Sequence, residues 1–324
     1  MTPYSKLAPF VLSSLFLAAC GGGGGSSTTT MPTPVVMTTP PTPPTTSSSE
    51  PVLIADIEFA QAATEAGDIP LLLDIYQPQE SCDENRPTVL FVHGGAFVSG
   101  NKSSNDIIAL AEATNDRDMN FVSIQYRLAG DEPVLTGRFQ ELAVEFLPIV
   151  PVLQRPLVTA AVAATEDTVT ALTWMEENAD EFGLDTASLA YWGASAGSIT
   201  VLQVAYGLNQ FNIERPEPRV VIDYWGDLFR DSDLEFREAP LFILHGDDDD
   251  IVPYQGAIDL SAQAEAVGVP FAFFTVEGGG HAFDAIDIFT LQSNSMPIID
   301  HTLTFIEAHL VGGMPDYSTV TIPE

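Results

Sequence analysis

Cysteine is nearly absent: Cys20 and Cys82 are the only two in 324 residues. No Cys/His cluster has zinc spacing, so neither a metal site nor any other cofactor is expected, and stability must come from a buried core. Basic residues are scarce as well. Eleven Lys and Arg stand against 45 Asp and Glu, a net charge of −34, and the lysines are only Lys6 and Lys102. Phosphate groups need a basic surface, so a nucleic-acid partner is excluded. Dense negative charge either simply keeps the exterior soluble or marks adaptation to salt, since unscreened it repels itself; salt adaptation is the expectation.

Long apolar runs are lacking too. Leu7–Ala19, preceded by Lys6, is broken by Ser13 and Ser14 and is too short to span a bilayer. It fits the apolar region of a signal peptide over residues 1–19. Leu17-Ala18-Ala19-Cys20 resembles the lipobox of bacterial lipoproteins. That resemblance implies that Cys20 becomes the lipidated first residue of the mature chain, which would leave Cys82 no disulfide partner. An ordinary secretory signal with an incidental cysteine is the alternative. The implied location is the bacterial cell envelope, with membrane contact through a lipid anchor only. Gly21, standing where some inner-membrane lipoproteins have Asp, favours the outer membrane. Gly21–Gly25 and the Ser/Thr/Pro residues up to Ser49 cannot form a core, so residues 20–50 read as a tether. Residues 51–324 then suit a single α/β domain.

In that domain short apolar runs alternate with helical patterns. Val52–Phe59 and Leu71–Tyr76 read as an antiparallel opening pair. Val89–Val92, Phe121–Tyr126, Leu189–Trp192, Val220–Tyr224, Leu241–Leu244 and Phe271–Val276 mostly read as strands buried on both faces. Helices are expected over Ser104–Arg117, Glu166–Phe182, Ala196–Tyr206, Tyr254–Val267 and Pro297–His309, the second ending at a glycine cap, Gly183. The alternation predicts an α/β fold with a mostly parallel, eight-stranded sheet and helices on both faces. Asp131–Ala164 breaks the rhythm. It is apolar, but prolines 133, 148, 151 and 156 rule out one long helix. A lid or acyl-pocket wall and an ordinary packed pair of helices both remain open for residues 131–164.

Residues 191–198 read Tyr-Trp-Gly-Ala-Ser-Ala-Gly-Ser, placing Ser195 in G-x-S-x-G. Composition alone yields about 0.1 such matches in a chain of this make-up, so the pattern means little without context. Its context is a strand, Leu189–Trp192, followed by a helix, which is what a tight nucleophile turn requires. A serine needs a base, and a base needs an orienting group. Five histidines are available. His301 and His309 sit on the terminal helix and are expected to face solvent. His93 and His245 lie at strand ends, where either could bond a neighbouring loop. His281 follows Gly278-Gly279-Gly280 in a glycine loop able to swing over the sheet edge, and is the expected base. The acid should come from Asp247-Asp248-Asp249-Asp250, among which spacing does not choose.

Ser195, an acid, then His281 is the chain order of the α/β-hydrolase fold. His93-Gly94-Gly95-Ala96-Phe97 resembles the oxyanion motif of carboxylesterases and lipases related to hormone-sensitive lipase. Gln125-Tyr126-Arg127-Leu128-Ala129 and Trp174–Asn178 with Phe182–Asp185 are similar to theirs as well. The resemblance covers about residues 70–310. In that family H-G-x-x-D-x-x-V-P carries the catalytic acid at its fifth position, which here implies Asp249, with Val252 and Pro253 matching. It also implies an oxyanion hole from backbone N–H groups of Gly94, Gly95, Ala96 and Ala196. The sequence departs at Ala96, where many relatives have a third glycine, and at Ala194, where many type-B carboxylesterases have Glu. The implied activity is hydrolysis of small to medium carboxylic esters through an acyl-enzyme on Ser195, with a small-molecule ester as partner. A serine peptidase, a polymer or acetyl-sugar esterase on the same fold, and a non-catalytic ligand-binding lipoprotein are the alternatives. Oligomeric state leaves no mark in the sequence.

Overall fold

The computed structural model describes residues 52–78, 85–147, 152–283 and 288–323. The expectations for the signal peptide, Cys20, the tether and Cys82 lie outside these residues.

The strands of the main sheet are β1 (Val52–Ala62), β2 (Ile69–Gln77), β3 (Arg86–Val92), β4 (Asn120–Ile124), β5 (Leu184–Ala194), β6 (Val220–Tyr224), β7 (Leu241–Gly246) and β8 (Phe271–Glu277). A two-stranded hairpin, β9 (Gln292–Ser293) with β10 (Met296–Pro297), stands apart, and β11 (Thr319–Pro323) closes the chain. The main sheet has nine strands in the order β1-β2-β4-β3-β5-β6-β7-β8-β11, one more than expected. The extra strand is β11, which pairs in parallel with β8. It escapes a search for apolar runs because Thr-Val-Thr-Ile buries only Ile322. β2 runs antiparallel to both its neighbours, and every other pairing in the main sheet is parallel. β4, β6 and β7 are buried at every position, as strands covered on both faces must be.

The helices are α1 (Asn105–Asn115), α2 (Gly137–Phe146), α3 (Arg155–Glu177), α4 (Ala179–Phe182), α5 (Ala196–Tyr206), α6 (Tyr254–Val267) and α7 (Ile298–Leu310). The two core clusters mark the two faces of the sheet. One joins Val221, Leu241 and Ile243 to residues of α2, α3, α5 and α6; the other joins Ile222, Phe242 and Leu244 to residues of α1 and α7. All eleven residues of α5 are buried, and apart from Gln203 its sequence is apolar or small all round rather than striped. The segment 131–164 holds α2 and the first turns of α3, whose N-terminus is set by Pro156. Leu142, Phe146 and Ala160 to Ala164 are buried there, so a helix expected from residue 166 begins eleven residues earlier. Gly183 ends α4 in the left-handed conformation (φ 62°).

Two buried cations tie the segments flanking the site. Lys102, the only lysine among the described residues, donates to Asp56 (2.8 Å) and Asp74 (2.6 Å). Arg127 donates to Asp167, Glu166 and the carbonyls of Ala63 and Val134. Removing one partner of such a pair strands a charge in the core at a cost of about 3–5 kcal/mol.

Candidate active site

The site lies at the C-terminal ends of β3, β5, β7 and β8, where loops gather beyond a parallel sheet. Ser195 occupies the one-residue corner between β5 and α5, with φ 54° and ψ −121°. A non-glycine residue there costs about 1–3 kcal/mol, and it persists only because its surroundings hold it. Those surroundings explain the small neighbours. A Cβ on Gly193 would lie 2.3 Å from the carbonyl oxygen of Gly197, and one on Gly197 would lie 1.9 Å from that of Val92. Both glycines of the pentapeptide are therefore fixed by close backbone approach. The backbone N–H of Ser195 donates to Tyr224 (2.9 Å), which seats the corner on β6.

The Ser195 hydroxyl lies 2.8 Å from Nε2 of His281, 86 residues away. Nδ1 of His281 lies 2.7 Å from Oδ2 of Asp249. The structure thus brings Ser195, His281 and Asp249 together in one chain of hydrogen bonds. Asp249 is the choice among the four consecutive carboxylates because it alone is buried. Its Oδ1 accepts from the N–H groups of Ile251 and Val252, both at 2.9 Å. Burial by itself would raise its pKa; the hydrogen bonds from His245 and His281 outweigh that and hold the carboxyl below its ordinary value.

The glycine loop carrying His281 has no need to swing. Asp247 accepts from Gly278 N–H (2.7 Å), and Asp248 N–H donates to Gly279 (3.0 Å). A Cβ on Gly246 would meet the Gly279 carbonyl at 2.1 Å, so the ends of β7 and β8 are clasped together. Beyond His281, the Phe283 ring meets Trp225 edge to face at 4.9 Å.

Gly94, Gly95 and Ala96 follow β3 and lie against the corner: a Cβ on Gly94 would fall 3.2 Å from that of Ser195. Gly95 has φ 122°, and a Cβ there would strike the Ser99 carbonyl at 2.0 Å. Ala96 (φ 53°) and Phe97 (φ 61°) both hold the left-handed conformation, so the alanine takes a turn that glycine would adopt freely. The loop is buttressed by the segment after β4: Tyr126 stacks on His93 at 4.3 Å and donates to its carbonyl, and Ala129 N–H donates to the Phe97 carbonyl. Ala196 is the first residue of α5, so its N–H has no partner within the helix and lies at the positive end of the dipole.

The remaining histidines are distributed as follows. His93 is buried, bonds the Gly94 carbonyl through Nδ1 (2.7 Å), and is pushed by burial down to about 4. His301 and His309 do not face solvent as expected. Each is half-buried, bonding the Ser293 carbonyl and the Phe305 carbonyl with the Tyr317 hydroxyl, respectively. His245 is wholly buried and stands 3.3 Å from Oδ2 of Asp249. Asp223, at a buried β6 position, accepts from Ser198 (2.5 Å) and from Gly226 N–H (2.8 Å). Neither His245 nor Asp223 stood out as functional in the sequence, though a carboxylate inside Val-Val-Ile-Asp-Tyr was the available signal. Among the described residues no group of three or more His, Cys, Asp or Glu has the arrangement of a metal site.

A family model described as BD-FAE matches residues 73–139. Carboxylesterase 5A of Felis catus is 33% identical over 145 residues, 42% of this chain and 22% of that protein. Carboxylesterase NlhH of Mycobacterium tuberculosis is 31% identical over 130 residues, 40% of this chain and 31% of that protein. The chain therefore spans less than a third of the length of these two curated relatives. Among solved structures, Thermogutta terrifontis esterase 2 phosphoramylated by tabun superposes with a TM-score of 0.60 at 17% identity, over 80% of this chain and 94% of that one. A truncated carbohydrate esterase from gut microbiota gives 0.56 at 15%, over 80% and 96%. The chain has the α/β-hydrolase fold, and over about two-fifths of its length it is similar in sequence to carboxylesterases.

Proposed function

We propose that the chain is a serine hydrolase that cleaves small to medium carboxylic esters through an acyl-enzyme. The observation that carries this reading is the continuous hydrogen-bond chain from Ser195 through His281 to Asp249. Asp249 holds His281 with Nδ1 protonated, which leaves Nε2 free to take the Ser195 proton as Oγ attacks the ester carbonyl carbon. The oxyanion of the tetrahedral intermediate accepts from the N–H of Ala196 and from the Gly94–Ala96 loop. Losing one such donor costs about 3 kcal/mol in the barrier. Collapse expels the alcohol, which takes the proton from His281. Water, deprotonated by the same nitrogen, then releases the acid and restores Ser195.

The test is hydrolysis of p-nitrophenyl acetate and butyrate by the Ser195→Ala variant. Turnover should vanish while the circular dichroism and melting transition stay those of the parent. Undiminished turnover would reject the assignment.

We also infer that Cys20 is lipidated and that residues 20–50 tether the domain to the outer membrane of a bacterial envelope. The lipobox-like Leu17-Ala18-Ala19-Cys20 and the Gly/Ser/Thr/Pro composition support this. Cys20→Ala should abolish incorporation of a clickable fatty acid, and retained incorporation would refute it.

A further inference from the structure

Asp249 has two imidazoles on one oxygen. His281 Nδ1 approaches Oδ2 at 2.7 Å, and His245 Nε2 approaches the same atom at 3.3 Å while also bonding the Val252 carbonyl at 2.9 Å. Both neighbours of His245 Nε2 are acceptors, so that nitrogen carries hydrogen; it bonds the Val252 carbonyl and stands beside Asp249 Oδ2 at 3.3 Å. The side chains of Asp249 and His245 are wholly buried, so no water competes for this oxygen.

The proposed reaction uses His281 and Asp249 and gives His245 no part. Resting on that reading, we propose that His245 is a positioning residue: it shares the Asp249 oxygen with His281 and so sets how strongly the carboxylate holds the base.

The surroundings of His245 are acidic. The titratable groups against it are Asp249 in the following loop, Asp223 on β6 and Tyr254 at the start of α6, whose ring lies 5.8 Å away. Across β8 it pairs with Thr275, which bonds the Tyr254 hydroxyl. Burial would lower its pKa, but the Asp249 bond and the field of Asp223 outweigh this and raise it. Among the described residues, Nδ1 of His245 and Oδ2 of Asp223 are both buried without a hydrogen-bond partner, so Asp223 acts on His245 through its field rather than a direct bond. A neutral His245 draws on the carboxylate as a donor, and a cationic one draws on it further by its charge. Both effects have one sign: each weakens the hold of Asp249 on His281.

The experiment compares full-length wild type, His245→Leu, His245→Gln and His245→Asn. Its first readout is the low-field Nδ1 proton of His281 in ¹⁵N-histidine-labelled protein, which needs no turnover. Its second is the pH profile of kcat/KM on p-nitrophenyl acetate. In His245→Leu the undivided carboxylate should move the proton further downfield and shift the acid limb of kcat/KM upward by about 0.5 pH unit. KM should change less than about twofold, since His245 does not reach the substrate. Gln offers an amide donor at the reach of Nε2 and should return both readouts towards wild type; Asn offers one only at the reach of Nδ1 and should not. The Gln and Asn pair decides the matter if the leucine variant does not fold. Unmoved proton and limb, however far kcat falls, would overturn the proposal and leave His245 a packing residue. A shifted proton in a protein that hydrolyses no ester would instead refute the esterase reading and leave the shared oxygen standing.

Discussion

A side chain on Gly197 would place its Cβ 1.9 Å from the carbonyl oxygen of Val92, so α5 starts where only glycine can pass β3. Because Ser195 is two residues earlier in the same corner, its left-handed backbone depends on that contact. Gly197→Ala should therefore abolish ester turnover and lower the melting temperature together, with a stability loss of about 2 kcal/mol or more. Thermal melts with activity on p-nitrophenyl butyrate check this; an active, equally stable variant would show that the corner relaxes.

Asp249, not its acidic neighbours, should govern turnover. Asp249→Asn keeps the shape but gives His281 the wrong partner, so kcat should fall on the order of 10⁴-fold. Asp247→Asn should cost far less, since an amide oxygen can still accept from Gly278 N–H. Asp250, exposed beside it, should be nearly neutral. Equal losses in the three variants would reject Asp249.

Acid should weaken the fold through His93. Its pKa lies near 4 in the folded protein, below the ordinary 6.5, so between these values the unfolded chain binds more protons. Stability then rises with pH through that window, by at most about 1.4 kcal/mol per unit, and this contribution is flat above it. Glu238 opposes it, since burial pushes its carboxyl up to about 7 and its contribution falls with pH. The comparison of wild type with His93→Gln cancels such shared contributions. Urea denaturation from pH 4 to 7 should show a shallower rise in the variant; parallel curves would contradict this.

Much of the fold and site was legible in the sequence because steric and hydrogen-bonding demands fall on single positions. In His245-Gly246-x-x-Asp249-x-x-Val252-Pro253 the first three named residues are each held to their type by a contact. His245 bonds the Val252 carbonyl, Gly246 clears Gly279, Asp249 caps the turn, and Pro253 leads into α6. The inner strands were legible because burial on both faces leaves unbroken apolar runs. β11 was not, since an edge strand with one buried side chain carries almost no apolar signal. The start of α3 was hidden because Pro156, which reads as a helix breaker, sits in its first turn. The shared Asp249 oxygen was invisible for a different reason: it depends on two loops meeting beyond β7 and β8.

Salt should stabilise the protein. Eleven basic residues cannot neutralise 45 acidic ones, and Lys102 and Arg127 are already engaged inside the fold. The melting temperature should climb with NaCl as the Debye length shrinks from about 30 Å at 0.01 M to about 3 Å at 1 M. A flat or falling curve would remove salt adaptation from the account.

The most direct measurement is active-site labelling with a fluorophosphonate, read by peptide mass spectrometry. Wild type should carry one phosphonyl group on Ser195. His281→Ala should label far more slowly, because it removes the base that stands 2.8 Å from the hydroxyl, and a serine without its base is a poor nucleophile. Failure of wild type to label, or labelling at another residue with Ser195 untouched, would contradict the account at its centre.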